Sequence, residues 1–410
     1  MASVMTNRVA PFAGSRLLTI IATLTLCCLL GFYLVRTAAG ATAFAYLLLL
    51  ILLFRWPSWW PALRDAAGWL LLIAGFMGLT LVSSLWSDEP WQRKSLSFLG
   101  YALVTLAFIA SAALSLRHAV WFDRWLVRLL PPAAAAAAFV AILYFYWEPP
   151  QYGRLLGLGQ LRNSVVAGLA FAAAILVTLH GILHERGVWR WLLATAMLPL
   201  LYALYLTDAV AAMVSLVLAA CAQLALRFEM RTGTLLLLLM SLCMAVLAVL
   251  AWLILSEAEL ARRIMPRADS YRLAIWQHYL AQIDWANIWL GQGLHFERSF
   301  ELEGRFIHHP HSLYLATLLK IGLVGLCWYL VLLLQTARVL LQNRAWPIMH
   351  LMLGLLILGS ASYLVDGWQI IDRLERSWLL VWLPMAAAAA AWSGSSGAGS
   401  AGAGRTPQRA

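Results

Sequence analysis

Apolar stretches recur along almost the whole chain, broken by short polar joints and by one long polar island near the end. A membrane-spanning helix needs about 20 predominantly apolar residues. Stretches of that kind, or close to it, fall at 17–35, 41–54, 67–86, 95–115, 129–146, 164–184, 190–207, 209–226, 233–255, 313–337, 347–365 and 378–392. They are continuously apolar and rich in Leu and Ala, without the period-two alternation of a membrane barrel. The pattern predicts an all-α, polytopic integral membrane protein with about 12 transmembrane helices and one large late loop. Helices 1–9 would occupy 1–255, the loop 256–310 and helices 10–12 residues 311–392, with a Gly/Ser/Ala-rich, disordered tail over 393–410.

Composition agrees. A mean hydropathy of +0.80, with 63% hydrophobic and 11% charged residues, lies far outside soluble globular usage. Orientation follows from Lys and Arg in the short loops, since basic residues resist translocation. With the N-terminus inside, the inner side collects Arg8, Arg16, Arg55, Arg64, Arg117, Arg124, Arg128, Arg186, Arg190, Arg227, Arg231, Arg338, Arg344, Arg405 and Arg409. The outer short loops hold only Arg36, Arg93, Lys94, Arg154, Arg162, Arg373 and Arg376. The island is therefore extracytoplasmic and the tail cytoplasmic. The net charge of +11 mostly reflects this topology, and no basic patch on a soluble surface points to nucleic acid. The run 17–35 reads as an uncleaved first helix, because it is long and more spans follow at once. All five cysteines fall inside predicted spans, so no disulfide framework is implied.

Three outer segments carry polar residues in suggestive combinations. Tyr152 to Ser164 holds Gly153, Gly157 and Gly159, which let backbone approach a ligand, with Arg154 and Arg162 as fixed charges. The plainer reading is a loop with interfacial arginines. Asp269 to Leu280 reads as a short helix capped by Ser270, with Arg272 and Trp276 on one face. An interfacial amphipathic helix with a snorkelling arginine fits it as well. At the island's exit stand His308, His309 and His311, after Arg262, Arg263, Arg267, Arg272, Arg298 and Arg305. Pro310 suits the first position of the tenth helix, which would put His311 in the opening turn. The helix dipole there disfavours imidazolium and attracts phosphate, so a neutral base and an anion site would coincide. The histidine spacing matches no zinc signature, and no metal or other cofactor is expected. Gly291-Gln-Gly293 lacks the strand and third glycine of a dinucleotide fingerprint. Intramembrane acids are too scarce for an ion-coupled transporter, and Lys320 lies close enough to the outer surface to snorkel.

His311-Ser312, nine residues and then Gly322-Leu-Val-Gly325 fit the pattern H-[NSQ]-x9-G-x-x-[GTY]. Arg272 with Trp276, followed by Gly291-x-Gly293, is similar to the R-x-x-x-W and G-x-G elements that precede that pattern. With its topology, the chain resembles the O-antigen ligase family of the Wzy/WaaL superfamily. Ser312 stands where Asn is commonest, and Lys320 where these proteins often carry an acid. The resemblance implies a metal-independent, inverting glycosyltransferase at the periplasmic face of the bacterial inner membrane. Its donor would be O-antigen on undecaprenyl pyrophosphate, its acceptor the lipid A-core, and membrane lipid its surroundings. His311 would be the general base, with Arg154 and Arg272 first, then Arg162, Arg298 and Arg305, on the diphosphate. An O-antigen polymerase or a protein O-oligosaccharyltransferase would use the same donor, and a polyprenyl-linked sugar flippase is the non-enzymatic alternative.

Overall fold

Lipid offers a backbone no hydrogen-bond partners, so each apolar stretch closes its own bonds as an α-helix. A computed structural model describes residues 15–87, 93–150, 153–229, 234, 271–302, 304–369 and 371–392. Among these, eight helices are long and apolar enough to cross a membrane. They are α1 (Arg16–Leu34), the run Trp56–Trp86 containing α3 (Trp56–Leu63) and α4 (Ala67–Val82), α5 (Arg93–His118), α6 (Phe122–Trp147), α7 (Ser164–His184), α8 (Val188–Thr207), α9 (Val210–Arg227) and α11 (Leu313–Gln342). Shorter apolar helices are α2 (Ala38–Phe54), α12 (Ile348–Ser362) and α13 (Trp378–Trp392). The chain is an all-α, polytopic membrane protein. The expected span 233–255, apart from Thr234, falls outside the described residues, as do Arg262, Arg263, Arg267 and the tail.

The centre of the bundle is α7, which packs against α6, α8, α9 and α12. Apolar burial drives little association between helices already in lipid, so close van der Waals contact must hold them. α7 supplies that contact through small residues such as Ala167, Gly168, Ala170, Ala172, Ala173 and Ala174, all buried. A Cβ on Gly168 would collide with Ala209 at the start of α9.

Two features of the outer region were not anticipated from sequence. Phe300–Leu302 (β1) and Arg305–Ile307 (β2) pair as a small antiparallel hairpin, turning at Gly304 with φ 75°. More consequentially, α11 is broken. Ile321 (φ −128°, ψ 16°) and Gly322 (φ 66°, ψ −169°) leave helical geometry in the middle of an apolar segment. The groups freed by the break are taken up by the preceding loop. Gln292 N–H donates to Leu319 O at 2.7 Å and Gly293 N–H to Lys320 O at 2.9 Å. In return, Leu323 N–H donates to Ile288 O at 2.8 Å and Val324 N–H to Trp289 O at 3.2 Å. So close an approach needs glycine on both sides. A Cβ on Gly291 would overlap the Lys320 carbonyl group, and one on Gly322 the Trp289 carbonyl.

Gly322→Ala should therefore be poorly tolerated. A left-handed backbone alone costs a non-glycine residue about 1–2 kcal/mol, and the overlap with Trp289 adds to it. Thermal unfolding of the detergent-solubilised protein should show a clear fall in midpoint. Gly78→Ala in α4, with no neighbour within 4 Å of the added Cβ, should show none.

Candidate active site

The outer helix α10 (Arg272–Leu280) is held by a small core of its own. Ile275 and Tyr279 pack with Phe296 and with Leu319 of α11, flanked by Phe300 and Ile307 of the hairpin. Ser270, the expected cap, lies outside the described residues, and Tyr271, left-handed at φ 59°, takes the cap position. As the i, i+4 spacing implied, Arg272 and Trp276 both reach toward the histidine segment and its surroundings. Trp276 Nε1–H donates to Pro310 O at 3.0 Å, and Arg272 Nε–H donates to Val365 O at 2.7 Å.

The helix start differs by a residue or two from the sequence expectation. Pro310 is not the first helical residue. Ser312 is the N-cap of α11, its hydroxyl accepting from Leu315 N–H at 3.4 Å. His311 stands just before the cap, in the left-handed region at φ 50°. A non-glycine residue held there costs of order 1–3 kcal/mol and persists only where its surroundings impose it. What imposes it is the backbone on either side. Pro310 O is tied to Trp276, and Leu313 N–H is shared between Tyr363 O and Asp366 O, each at 3.0 Å.

Electrostatics around His311 run against its protonation. Burial pushes its pKa below the ordinary value of 6.5; Asp366 opposes that, while Arg272 and Arg376 reinforce it. His309, whose ring centroid is 4.1 Å from that of His311, is pushed down to about 4, chiefly by burial. Both rings are therefore neutral near pH 7. Arg272 is itself partly desolvated, and it senses the charge of Arg154. Arg154 comes from the loop before α7, where Nε–H and Nη2–H donate to Thr207 O and Asp208 O, both at 2.9 Å.

Of the arginines singled out in the sequence, Arg272 acts on His311 directly, and Arg154 lies near enough for Arg272 to feel its charge. Arg162 is exposed near Tyr144 at the outer end of α6. Arg298, exposed, lies over the Phe296 ring at 5.8 Å and lines a cleft with His308 and His309. Arg305 lies on β2, opposite Leu302. Lys320 does not snorkel outward. Only 9% exposed, it lies with Nζ 4.8 Å from the Trp368 ring centroid. Among the described residues, no three His, Cys, Asp or Glu side chains converge in a way that could hold one metal ion.

The sequence reading passed over the loop between α12 and α13. It supplies Val365 O to Arg272, Asp366 O to α11, and Trp368, which stacks on His309 at 5.5 Å and 14°. Arg376 pairs with Asp366 at 2.7 Å, the two side chains 9% and 10% exposed. Asp366, Asp372, Arg373, Glu375 and Arg376, crowded between two apolar segments, were the available signal.

The comparisons bear on this same region. Residues 195–330, which contain Arg272, the two loop glycines, His311 and Gly322, match the O-antigen ligase family. The chain is also 27% identical over 339 residues to the O-antigen ligase of Pseudomonas aeruginosa, covering 80% of each protein. Both findings support a likeness to the O-antigen ligase family. That likeness supports a glycan-transferring enzyme, multi-pass in a membrane, with polysaccharide and lipid as its substrates in general.

Because the outer loop after α12 positions both Arg272 and the start of α11, its ion pair is open to test. Removing one partner of a buried pair strands the other charge, at a cost of about 3–5 kcal/mol. Arg376→Met should therefore lower the unfolding midpoint sharply. Arg376→Met with Asp366→Leu should recover most of the loss; a double variant no more stable than the single would contradict it.

Proposed function

We propose that the protein is an O-antigen ligase, moving glycan from undecaprenyl pyrophosphate to the lipid A-core by metal-independent, inverting transfer. The observation that carries this reading is a neutral histidine in a strained, clamped backbone, with the charge of Arg272 acting on it and that of Arg154 acting in turn on Arg272. His311 takes the proton of the acceptor hydroxyl as that oxygen attacks the anomeric carbon. The bond from this carbon to the phosphate oxygen breaks, and the diphosphate leaves with the electron pair. Arg272 and Arg154 stabilise the charge growing on it, since a guanidinium binds phosphate oxygens through two parallel bonds. Arg162, Arg298 and Arg305 serve as secondary contacts. The likeness to O-antigen ligases supports the bacterial inner membrane as the location, and the excess of arginine in one set of short loops supports a site facing the periplasm.

The decisive experiment is a deletion strain. It should make bare lipid A-core, with polymerised glycan stranded on its carrier, and wild-type protein should restore capped lipopolysaccharide. Core carrying a single repeat would instead indicate a polymerase. His311→Ala, inserted at wild-type level, should fail to restore capping, since loss of a general base costs about 10²–10⁴-fold. In vitro, protonating His311 removes the base. Its lowered pKa therefore puts the acid limb of kcat/KM below pH 6.5. An acid limb above that value would contradict the assignment.

Lys should replace Arg272 or Arg154 poorly, because a point charge cannot reproduce the planar fork. For each Arg→Lys variant, turnover with lipid-linked donor should fall at least about tenfold, while wild-type turnover should survive a strong chelator. Full activity in both variants would reduce these arginines to interfacial anchors.

A further inference from the structure

A general base must face the hydroxyl it serves, and a misplacement of about 1 Å can cost about 10²-fold in rate. The backbone of His311 is fixed on both sides, but its ring turns about a torsion whose minima are broad and two-fold. In nucleophile–base pairs a third group, bonded to the base, removes that freedom. Among the described residues no side chain hydrogen-bonds to the His311 ring; what acts on it is burial and the charges of Asp366, Arg272 and Arg376. What touches the ring is another ring. His309 lies with its centroid 4.1 Å away, inclined by 57°. Trp368 in turn lies on His309, 5.5 Å away and nearly parallel at 14°. The Lys320 ammonium lies over the same indole at 4.8 Å, with Asp372 sensing its charge. Three stretches of chain therefore meet in one series of contacts that ends on His311.

Each member is placed by something else. Pro310 restricts His309 to extended backbone, and its own carbonyl is tied to Trp276. Trp368 follows Gly367, left-handed at φ 83°, where a Cβ would stand 3.2 Å from Tyr363 and 3.3 Å from Leu313. Only glycine makes that turn easily. Lys320 stands at the break in α11, where its carbonyl accepts from Gly293 N–H. We propose that His309 and Trp368 are positioning residues, which hold the imidazole of His311 in the orientation that receives the acceptor proton. The proposal rests on the ligase reading and adds the device that aims its base. Ring contacts suit this site better than a bonded acid. A carboxylate on the imidazole would favour its charged form and keep a proton there before the acceptor arrives. His309, pushed down to about 4 chiefly by burial, stays neutral at working pH. His311 can then carry the transferred proton without a second imidazolium beside it.

The test uses full-length purified protein, lipid-linked glycan as donor and lipid A-core as acceptor, and pairs each truncation with an aromatic replacement. His309→Ala and Trp368→Leu should each lower kcat at least about tenfold and leave the donor KM nearly unchanged. His309→Phe and Trp368→Phe, which keep a flat ring in place, should retain most of the wild-type kcat. The His309 pair, on the outer segment before α11, carries the test should Trp368→Leu not accumulate. Orientation is also read without substrate. Diethyl pyrocarbonate modifies neutral imidazole, and peptide mass spectrometry follows His311 alone. Its labelling should quicken severalfold in His309→Ala and Trp368→Leu and stay near wild type in the Phe variants. Truncations with wild-type kcat, Phe variants as slow as the truncations, or an unchanged labelling rate would each overturn the proposal. Absence of transfer by the wild-type protein would instead overturn the ligase reading, and the labelling series would still decide whether the rings hold His311.

Discussion

A helix broken inside an apolar segment must find partners for the amide and carbonyl groups it frees, because lipid supplies none. In α11 those partners are the backbone of residues 288–293, and the rest of the outer region follows from that choice. Four hydrogen bonds join the loop to the break; a Cβ on Gly291 or Gly322 would stand where the facing backbone of the clamp runs, and one on Gly293 would overlap Ser83 and Ser87. The consequence is topological. Ile288 and Leu323 meet at the clamp, so everything between them is a closed excursion anchored at both ends. That excursion holds His295, bonded to Ser95 and Ser87 near the start of α5, then the hairpin, and then His308 to His311. Closing a loop of this length costs entropy once, at the clamp, and its growth with length is slow. The left-handed His311 sits in a segment that cannot relax its strain by drifting outward.

The spans were legible because lipid imposes one requirement on every residue that crosses it, and 17–35 or 164–184 meets that requirement by composition alone. The motif residues were legible as spacing, though their cause was not. Gly322 follows His311 at a fixed distance because the first half of α11 must carry Leu319 and Lys320 down to the clamp, a relation between two backbones that no periodicity encodes. The pairing of Arg272 with Trp276 was readable, since i and i+4 share a helix face. Their targets, Val365 O and Pro310 O, were not, because each depends on how a distant loop folds. Lys320 was misread for a related reason. Near the outer surface a lysine ordinarily extends to water, but here Trp368, brought in from 48 residues further along the chain, gives the ammonium an aromatic face instead. The loop over 363–377 was passed over because its charges look like an ordinary polar joint until Asp366 and Arg376 are seen to be buried together.

In the proposed mechanism, gathering cations beside a base sets two requirements against each other. Burial does most to lower the basicity of His311, and Arg272 and Arg376 add to it, which keeps the ring neutral but makes it a weaker proton acceptor. An arriving diphosphate would change that balance. Its charge would offset the arginines that add to the effect of burial on His311. The base would then strengthen as the donor fills the site and remain weak while the site is empty. Asp366 keeps the swing in bounds, since it faces His311 and Arg272 at once and is itself held by Arg376. With the donor bound, His311 would be most basic when an acceptor hydroxyl can lose its proton to it, and the ordering needs no moving part beyond the charge the donor brings.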